Sequence, residues 1–139
     1  MAEKKQEEVR TAEEELRSLI AQIEALRAEI TVINQTIAEL QSTQATLATL
    51  KDLGKGKALL IPVGSIVQVE AKVEDVEEVV IGIGGNLSVE LPYAEAIEYL
   101  KKQVLALRDQ RRVLEEAIAA LYTRAEGLLA EERKGEKSA

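Results

Sequence analysis

The sequence predicts an α+β chain: a long antiparallel α-helical coiled coil with two central β-hairpins that join an oligomeric β-barrel. Three observations carry this reading. Two stretches repeat apolar residues at steps of three and four, and the segment between them alternates apolar with polar residues. The bulky core fillers are missing, with three tyrosines and no Phe, Trp, His or Cys among 139 residues. One domain of ordinary size is expected over 1–139. Within it we expect an N-terminal coiled-coil helix over 6–53, two hairpins over 57–91, a C-terminal coiled-coil helix over 93–133 and a flexible tail over 134–139.

The first helix follows from Val9, Ala12, Leu16, Leu19, Ile23, Leu26, Ile30, Ile33, Ile37, Leu40, Gln44 and Leu47. Eleven of these twelve are apolar, where a composition of 46% hydrophobic residues would give five or six. A sustained seven-residue repeat keeps so narrow a stripe in register only when two helices supercoil around each other. Gly54 is placed to take the left-handed conformation just past the helix end.

The middle segment reads as short strands. Ala58 to Val63 forms the first, with Pro62 confining it to an edge, and Gly64-Ser65 makes a turn. Val67, Val69, Ala71 and Val73 alternate with Gln68, Glu70 and Lys72, giving one apolar and one wet face. Glu74 to Glu77 is a charged turn; Val79, Ile81 and Ile83 form a third strand, and Gly84-Gly85-Asn86 turns into Leu87, Val89 and Leu91. Two hairpins this short bury too little apolar surface to stand alone and leave strand edges unpaired. Equivalent segments from neighbouring subunits should therefore close the sheet. The expected interface residues are Leu60, Ile61, Val67, Val69, Val79, Ile81, Ile83, Leu87 and Val89.

The second helix starts near Pro92, whose missing amide costs nothing at a helix start. Its seam runs through Ile97, Leu100, Val104, Leu107, Arg111, Leu114, Ile118, Leu121, Ala125 and Leu128. Folding it back on the first helix pairs Leu47 with Ile97, Leu40 with Val104 and Ile33 with the stem of Arg111, although a slip of one heptad or parallel pairing of two chains satisfies the same seam. Gln44 and Arg111, the polar seam members, either specify the register or snorkel at the coil edge. Both chain ends are polar, and fraying is expected there.

Charge and composition exclude several functions. Lys and Arg are scattered among a larger number of acids, for a net charge of −7, so the basic stripe that nucleic acid needs is absent. With no His or Cys, the ordinary metal ligands, imidazole base and thiol nucleophile are missing, and neither an enzyme nor a metal or other cofactor is expected. Gly54-Lys55-Gly56-Lys57 lacks the spacing of a phosphate loop, and Gly82-Ile83-Gly84-Gly85 lacks the third glycine of a dinucleotide fingerprint. No apolar run suggests a signal sequence or a membrane span, so a cytoplasmic protein is expected.

At these residues the chain resembles a known family. Leu60-Ile61-Pro62-Val63-Gly64, Ile66 through Val73, Val79-Val80-Ile81-Gly82-Ile83-Gly84 and Ala94 through Leu100 look like the corresponding stretches of prefoldin alpha subunits of the archaeal type. Beta-class subunits carry one hairpin, so the second hairpin points to the alpha class. The resemblance implies a hexamer of two alpha and four beta subunits, with coiled-coil arms projecting from a β-barrel body. It implies an ATP-independent holdase that captures unfolded client proteins and delivers them to a group II chaperonin. The alternative is a structural, filament-forming prefoldin-like protein that joins end to end through the same hairpins.

The residues bear on client capture as well. Near the arm tips, apolar side chains stand beside the seam: Ile20 next to Leu19, Tyr122 next to Leu121 and Leu129 next to Leu128. Fraying there, which Gly127 favours by up to ~1 kcal/mol relative to Ala, would uncover apolar surface of the kind that marks binding sites. The expected client-binding residues are Val9, Ala12, Leu16, Leu19, Ile20, Ile23, Leu121, Tyr122, Leu128 and Leu129. The other reading is that such neighbours only widen the core of the coil.

Overall fold

The computed structural model describes residues 2–137, and side chains through Lys134. Helix α1 spans Ala2–Leu53 and helix α2 spans Tyr93–Lys137, with strands β1 (Ala58–Pro62), β2 (Gln68–Lys72), β3 (Glu78–Gly84) and β4 (Leu87–Pro92) between them. Both helices outrun the expected limits. Glu, Lys, Gln and Arg at the polar ends are good helix formers, and each residue added to an existing helix gains a hydrogen bond without a new nucleus. Residues 134–137 are therefore helical, not a free tail, while Ser138 and Ala139 lie outside the described residues.

Two compact units divide these elements: Met1–Thr36 with Leu107–Ala139, and Ile37–Ala106. In the first unit the helices run antiparallel. Arg124 of α2 meets Glu15 of α1, Tyr122 meets Arg27, and the Arg111 Nη1 donates to Asn34 Oδ1 at 2.8 Å. Numbers on α1 rise as those on α2 fall. Arg111 stands one residue from Ile33, as the first register requires, whereas a heptad slip would move it a full two turns. Counting heptads from Val9 and Ile97 as a positions, Arg27 and Tyr122 are both e, and Glu15 and Arg124 are both g. Such flanking positions fix partner and register in a coiled coil. The seam fills with Leu19, Ile23 and Ala125, all buried.

In the second unit Ile37, Ala96, Leu100 and Val104 are buried. Ala96 lies one residue before the expected seam, and its small side chain is wholly enclosed in the first turn of α2. Gly54 ends α1 with φ +76°, the left-handed residue that lets the chain leave the helix without a Cβ clash. The Lys51 ammonium sits 3.9 Å from the centre of the Tyr93 ring, tying the last turn of α1 to the first residue of α2. Pro92 ends β4 and does not begin the helix; the Tyr93 amide donates to Glu77 O at 2.7 Å, so the strand pair satisfies a free amide at the helix start.

Each hairpin is a separate two-stranded antiparallel sheet. In the first, Leu59 faces Ala71, Leu60 faces Glu70 and Ile61 faces Val69. The Val63 amide closes its loop onto Val67 O at 2.7 Å. In the second, Val79 faces Leu91, Val80 faces Glu90 and Ile81 faces Val89, with a register shift between Gly82 and Gly84 that leaves Ile83 as the extra residue. The linking turn is held by Asp75 Oδ1, which accepts the Glu77 amide at 3.1 Å.

Candidate functional site

Two surfaces hold the residues the sequence singled out. At the arm ends, the coil geometry sorts neighbours in the chain into opposite environments. Leu19 and Ile23 are 5% exposed in the seam, while Ile20, an e position, is 47% exposed. Val9, Tyr122 and Leu129 are exposed as well, and Ala12, Leu16, Leu121 and Leu128 are half-buried along the seam. Six of the ten expected client residues therefore belong wholly or partly to the coil's own core, and are fully uncovered only if the helices part. Tyr122 is not loose either: its hydroxyl accepts a hydrogen bond from Arg27, whose guanidinium carbon lies 5.4 Å from the ring centre. Val9, Ile20 and Leu129 are left as apolar groups presented outward.

An open groove lies beside them, with Ala12 and Leu128 among its lining and Glu7, Glu8, Glu15 and Glu131 around it. The Arg124–Glu15 ion pair straps the two helices together at this level. Glu132 holds one carboxylate oxygen, Oε1, in the interior without a hydrogen-bond partner, a cost to closing the coil there.

The second surface is the pair of hairpins. Directly opposed residues share a face, so Ile61 and Val69 stand together on the apolar face of the first hairpin with half-buried Leu59 and Ala71. Leu60 projects from the other face, opposite Glu70, and is 65% exposed. Three apolar residues in a row gave no phase from which to assign it. On the second hairpin Val79 and Ile81 are half-buried, while Val89, Leu87 and Ile83 are exposed. Val67 is exposed too.

Several exposed apolar residues escaped the sequence-based set. Ile66 is 94% exposed between two strands, and Val63 and Val80 are exposed nearby. The signal for Ile66 was its place directly after Gly64-Ser65, where turn chemistry favours a polar side chain. In the arms, Val32, Leu105 and Val113 are exposed off the seam. Of the polar seam residues, Arg111 reaches across to Asn34, whereas Gln44 keeps its amide Nε2 buried with no hydrogen-bond partner and does not snorkel.

One titrating group is displaced. On the wet face of the second hairpin the Glu78 carboxyl hydrogen-bonds to Glu90, two places along the ladder, and the bond and the like charge of Glu90 hold Glu78 above the usual carboxylate range. Partial desolvation and Glu77 add to the rise. Among the described residues, no group of three or more His, Cys, Asp or Glu side chains is placed to hold a metal ion, and no helix is long and apolar enough to cross a membrane.

Comparison with known proteins gives one answer throughout. The family model described as Prefoldin subunit matches residues 19–135. Over 96 residues, 69% of this chain, the sequence is 50% identical to the putative prefoldin subunit alpha of Aquifex aeolicus. Over 94 residues, 68% of this chain, it is 51% identical to prefoldin subunit alpha 2 of Methanocaldococcus jannaschii. The chain spans 64% of the length of each of these relatives. Among solved structures, a chain from the cryo-EM structure of filamentous PFD from Methanocaldococcus jannaschii is similar with a TM-score of 0.78 at 52% identity, covering 86% of this chain and 98% of that one.

Proposed function

This chain belongs to the prefoldin family, as an alpha-class member, and from that we propose that it is a subunit of a cytoplasmic, ATP-independent chaperone. In this reading it assembles with beta-class subunits through its hairpins, holds non-native proteins at the ends of its arms and passes them to a group II chaperonin. The observation that carries it is the outward set Val9, Ile20 and Leu129. Ile20 and Leu129 stand beside a seam that Leu19, Ile23 and Ala125 already fill, and Val9, at the seam's end, is 45% exposed, so none of the three is needed to close the coil. Each such contact contributes at most ~1.5–3 kcal/mol. Several arms acting on one client multiply the hold without demanding a fixed client shape.

The test is to shorten both arms by two heptads, co-assemble the product with a beta-class partner and measure suppression of aggregation of an unfolded protein. Suppression should fall while the mass of the complex drops only by the residues removed. Undiminished suppression by an intact complex would place client binding elsewhere.

A second reading, a structural subunit that polymerises by itself, is favoured by the filamentous origin of the similar solved structure. Native mass with and without the beta-class partner separates the two. A defined hexamer on mixing supports the chaperone subunit, and open-ended polymers that ignore the partner support the filament.

A further inference from the structure

The coil of the first unit sorts its arginines by flank. With Val9 and Ile97 as a positions, e and b positions border one side of the seam and g and c positions the other. Arg10, Arg17, Arg27, Arg108, Arg112 and Arg133 all stand at e or b. The g and c flank holds one arginine, Arg124, and Glu15 already pairs with it. Two open grooves lie on that flank. The tip groove has Ala12 and Leu128 in its floor, and around them Glu7, Glu8, Glu15 and Glu131 against one base, Lys4. The second, further along the arm, has Ile33, Val113 and Leu114 in its floor and Glu29 and Asp109 at its edge, with no base in its lining. Val113 is 58% exposed there. Asp109 has Arg112 at 3.9 Å, but no ion pair among the described residues uses Glu7, Glu8, Glu29 or Glu131.

We propose that this flank is a second client-binding face, and that its occupant is an extended, unfolded segment with two apolar clusters, each flanked by Lys or Arg. The proposal rests on the reading that the arms hold non-native proteins, and names the class of segment this face takes. Apolar side chains of the segment cover the aliphatic floors and leave water. Its cations meet carboxylates that have no partner within the chain, and an acidic segment is turned away by the same charges. Helix geometry sets the spacing. Ala12 and Ile33 are both d positions, three heptads apart, so the grooves stand about 30 Å apart along α1. An extended chain covers that distance in about nine or ten residues. One segment of this length engages both grooves, and its second contact is then intramolecular.

The experiment titrates the full-length chain into a fluorescein-labelled Gly-Ser peptide carrying two Leu-Lys-Leu-Lys clusters with centres about ten residues apart, read by anisotropy at low ionic strength. It should bind at least about tenfold more tightly than the same peptide with Glu for Lys, and than one with the centres about five residues apart. Added salt should weaken it. Glu8→Lys with Glu131→Lys in the tip groove should lower affinity at least about tenfold, and so should Glu29→Lys with Asp109→Lys in the second. Glu24→Lys with Glu126→Lys makes the same change in net charge at b positions of the other flank, and should alter affinity less than about twofold. All six positions are exposed, and melting temperature verifies that each variant folds. Where a pair does not, the single changes Glu8→Gln and Glu29→Gln replace it, each with a loss of about threefold.

Equal binding of the Lys and Glu peptides, equal losses from reversals on the two flanks, or a short peptide that binds as well as the long one would overturn the proposal. So would peptide binding that disappears as the chain dimerises at higher concentration, which would give the grooves to a second copy. The complex with a beta-class partner is assayed in parallel for suppression of aggregation of an unfolded protein. Suppression without these peptide preferences defeats this proposal alone. A complex that suppresses nothing while the peptide still binds defeats the underlying reading and leaves the flank as a site for basic peptides.

Discussion

Leu19 and Ile20 are adjacent in the chain and differ about ninefold in exposure, so they separate stability from surface function within one turn of α1. Truncating Leu19 to Ala leaves a void in the seam and should cost ~2–4 kcal/mol of unfolding free energy. Ile20→Ala removes a group that packs little and should stay within ~0.5 kcal/mol of the parent. Urea unfolding measures both. If Ile20 belongs to the client surface, its truncation lowers aggregation suppression while stability holds; a loss of suppression that merely tracks stability would remove Ile20 from the site. Glu78 poses a different test. Its carboxyl is held above the usual range in the folded hairpin, so the folded state binds the proton more tightly than the unfolded chain, whose value is about 4.3. The contribution of Glu78 to stability is then fully present below the unfolded value and is lost as pH rises through the folded one. Glu78→Gln removes the like charge beside Glu90 at neutral pH. In dilute, unassembled protein the variant should melt above the parent near neutral pH, and the gap should close as the pH falls below about 4. A gap independent of pH would show that Glu90 does not act on Glu78 by charge.

At the scale of elements, α2 contains a deliberate-looking weakness. Gly127 is in the helix interior, and a Cβ built on it meets no atom within 4 Å. Gly127→Ala should therefore stabilise the helix by ~0.5–1 kcal/mol, seen as a rise in melting temperature. If clients enter by parting the arms near Leu121 and Leu128, the same change should slow capture, and unchanged capture by a more stable coil would confine binding to the outward residues. How much of each element could be read from the chain follows from the strength of its pattern. The seam was legible because a seven-residue repeat fixes which residues face inward, though not the register of their partner, and Leu19, Ile23, Ile37, Leu100, Val104 and Ala125 are buried where it put them. Ala96 was not, because one turn after a strand a helix has yet to show a period. The helix ends were misplaced because polar helix formers leave no periodic mark. The glycines placed the hairpin turns, but the irregularity at Ile83 and the face of Leu60 could not be read, since a bulge and an unbroken apolar run both erase the alternation that sets phase. Of the candidate site, the outward character of Ile20 and Leu129 was readable from their places beside the seam, whereas Val9 counted as a seam member and its exposure was not; the tethering of Tyr122 by Arg27 needs two residues 95 positions apart.

For the whole molecule the governing fact is that the hairpins are unfinished. Each is two strands, so every strand has one edge whose amides and carbonyls no other described strand pairs. Sheets of this size are marginal in water, and much of their apolar surface, Ile66 above all, faces outward. The seam of the arms, by contrast, is closed within the chain. Stability should therefore be uneven in the isolated protein and become even on assembly, which amide hydrogen exchange resolves position by position. In dilute chain alone, amides over 58–72 and 78–92 should exchange through local opening, well ahead of those over 19–37. On assembly, whether with beta-class subunits or with further copies, hairpin amides should slow by ~100-fold or more, because their edges gain partners and opening must then break an interface. The amides over 19–37 should change little, since no new contact is asked of them. Hairpins already protected in the isolated chain, and indifferent to partners, would mean that they complete themselves and that assembly is built on some other surface.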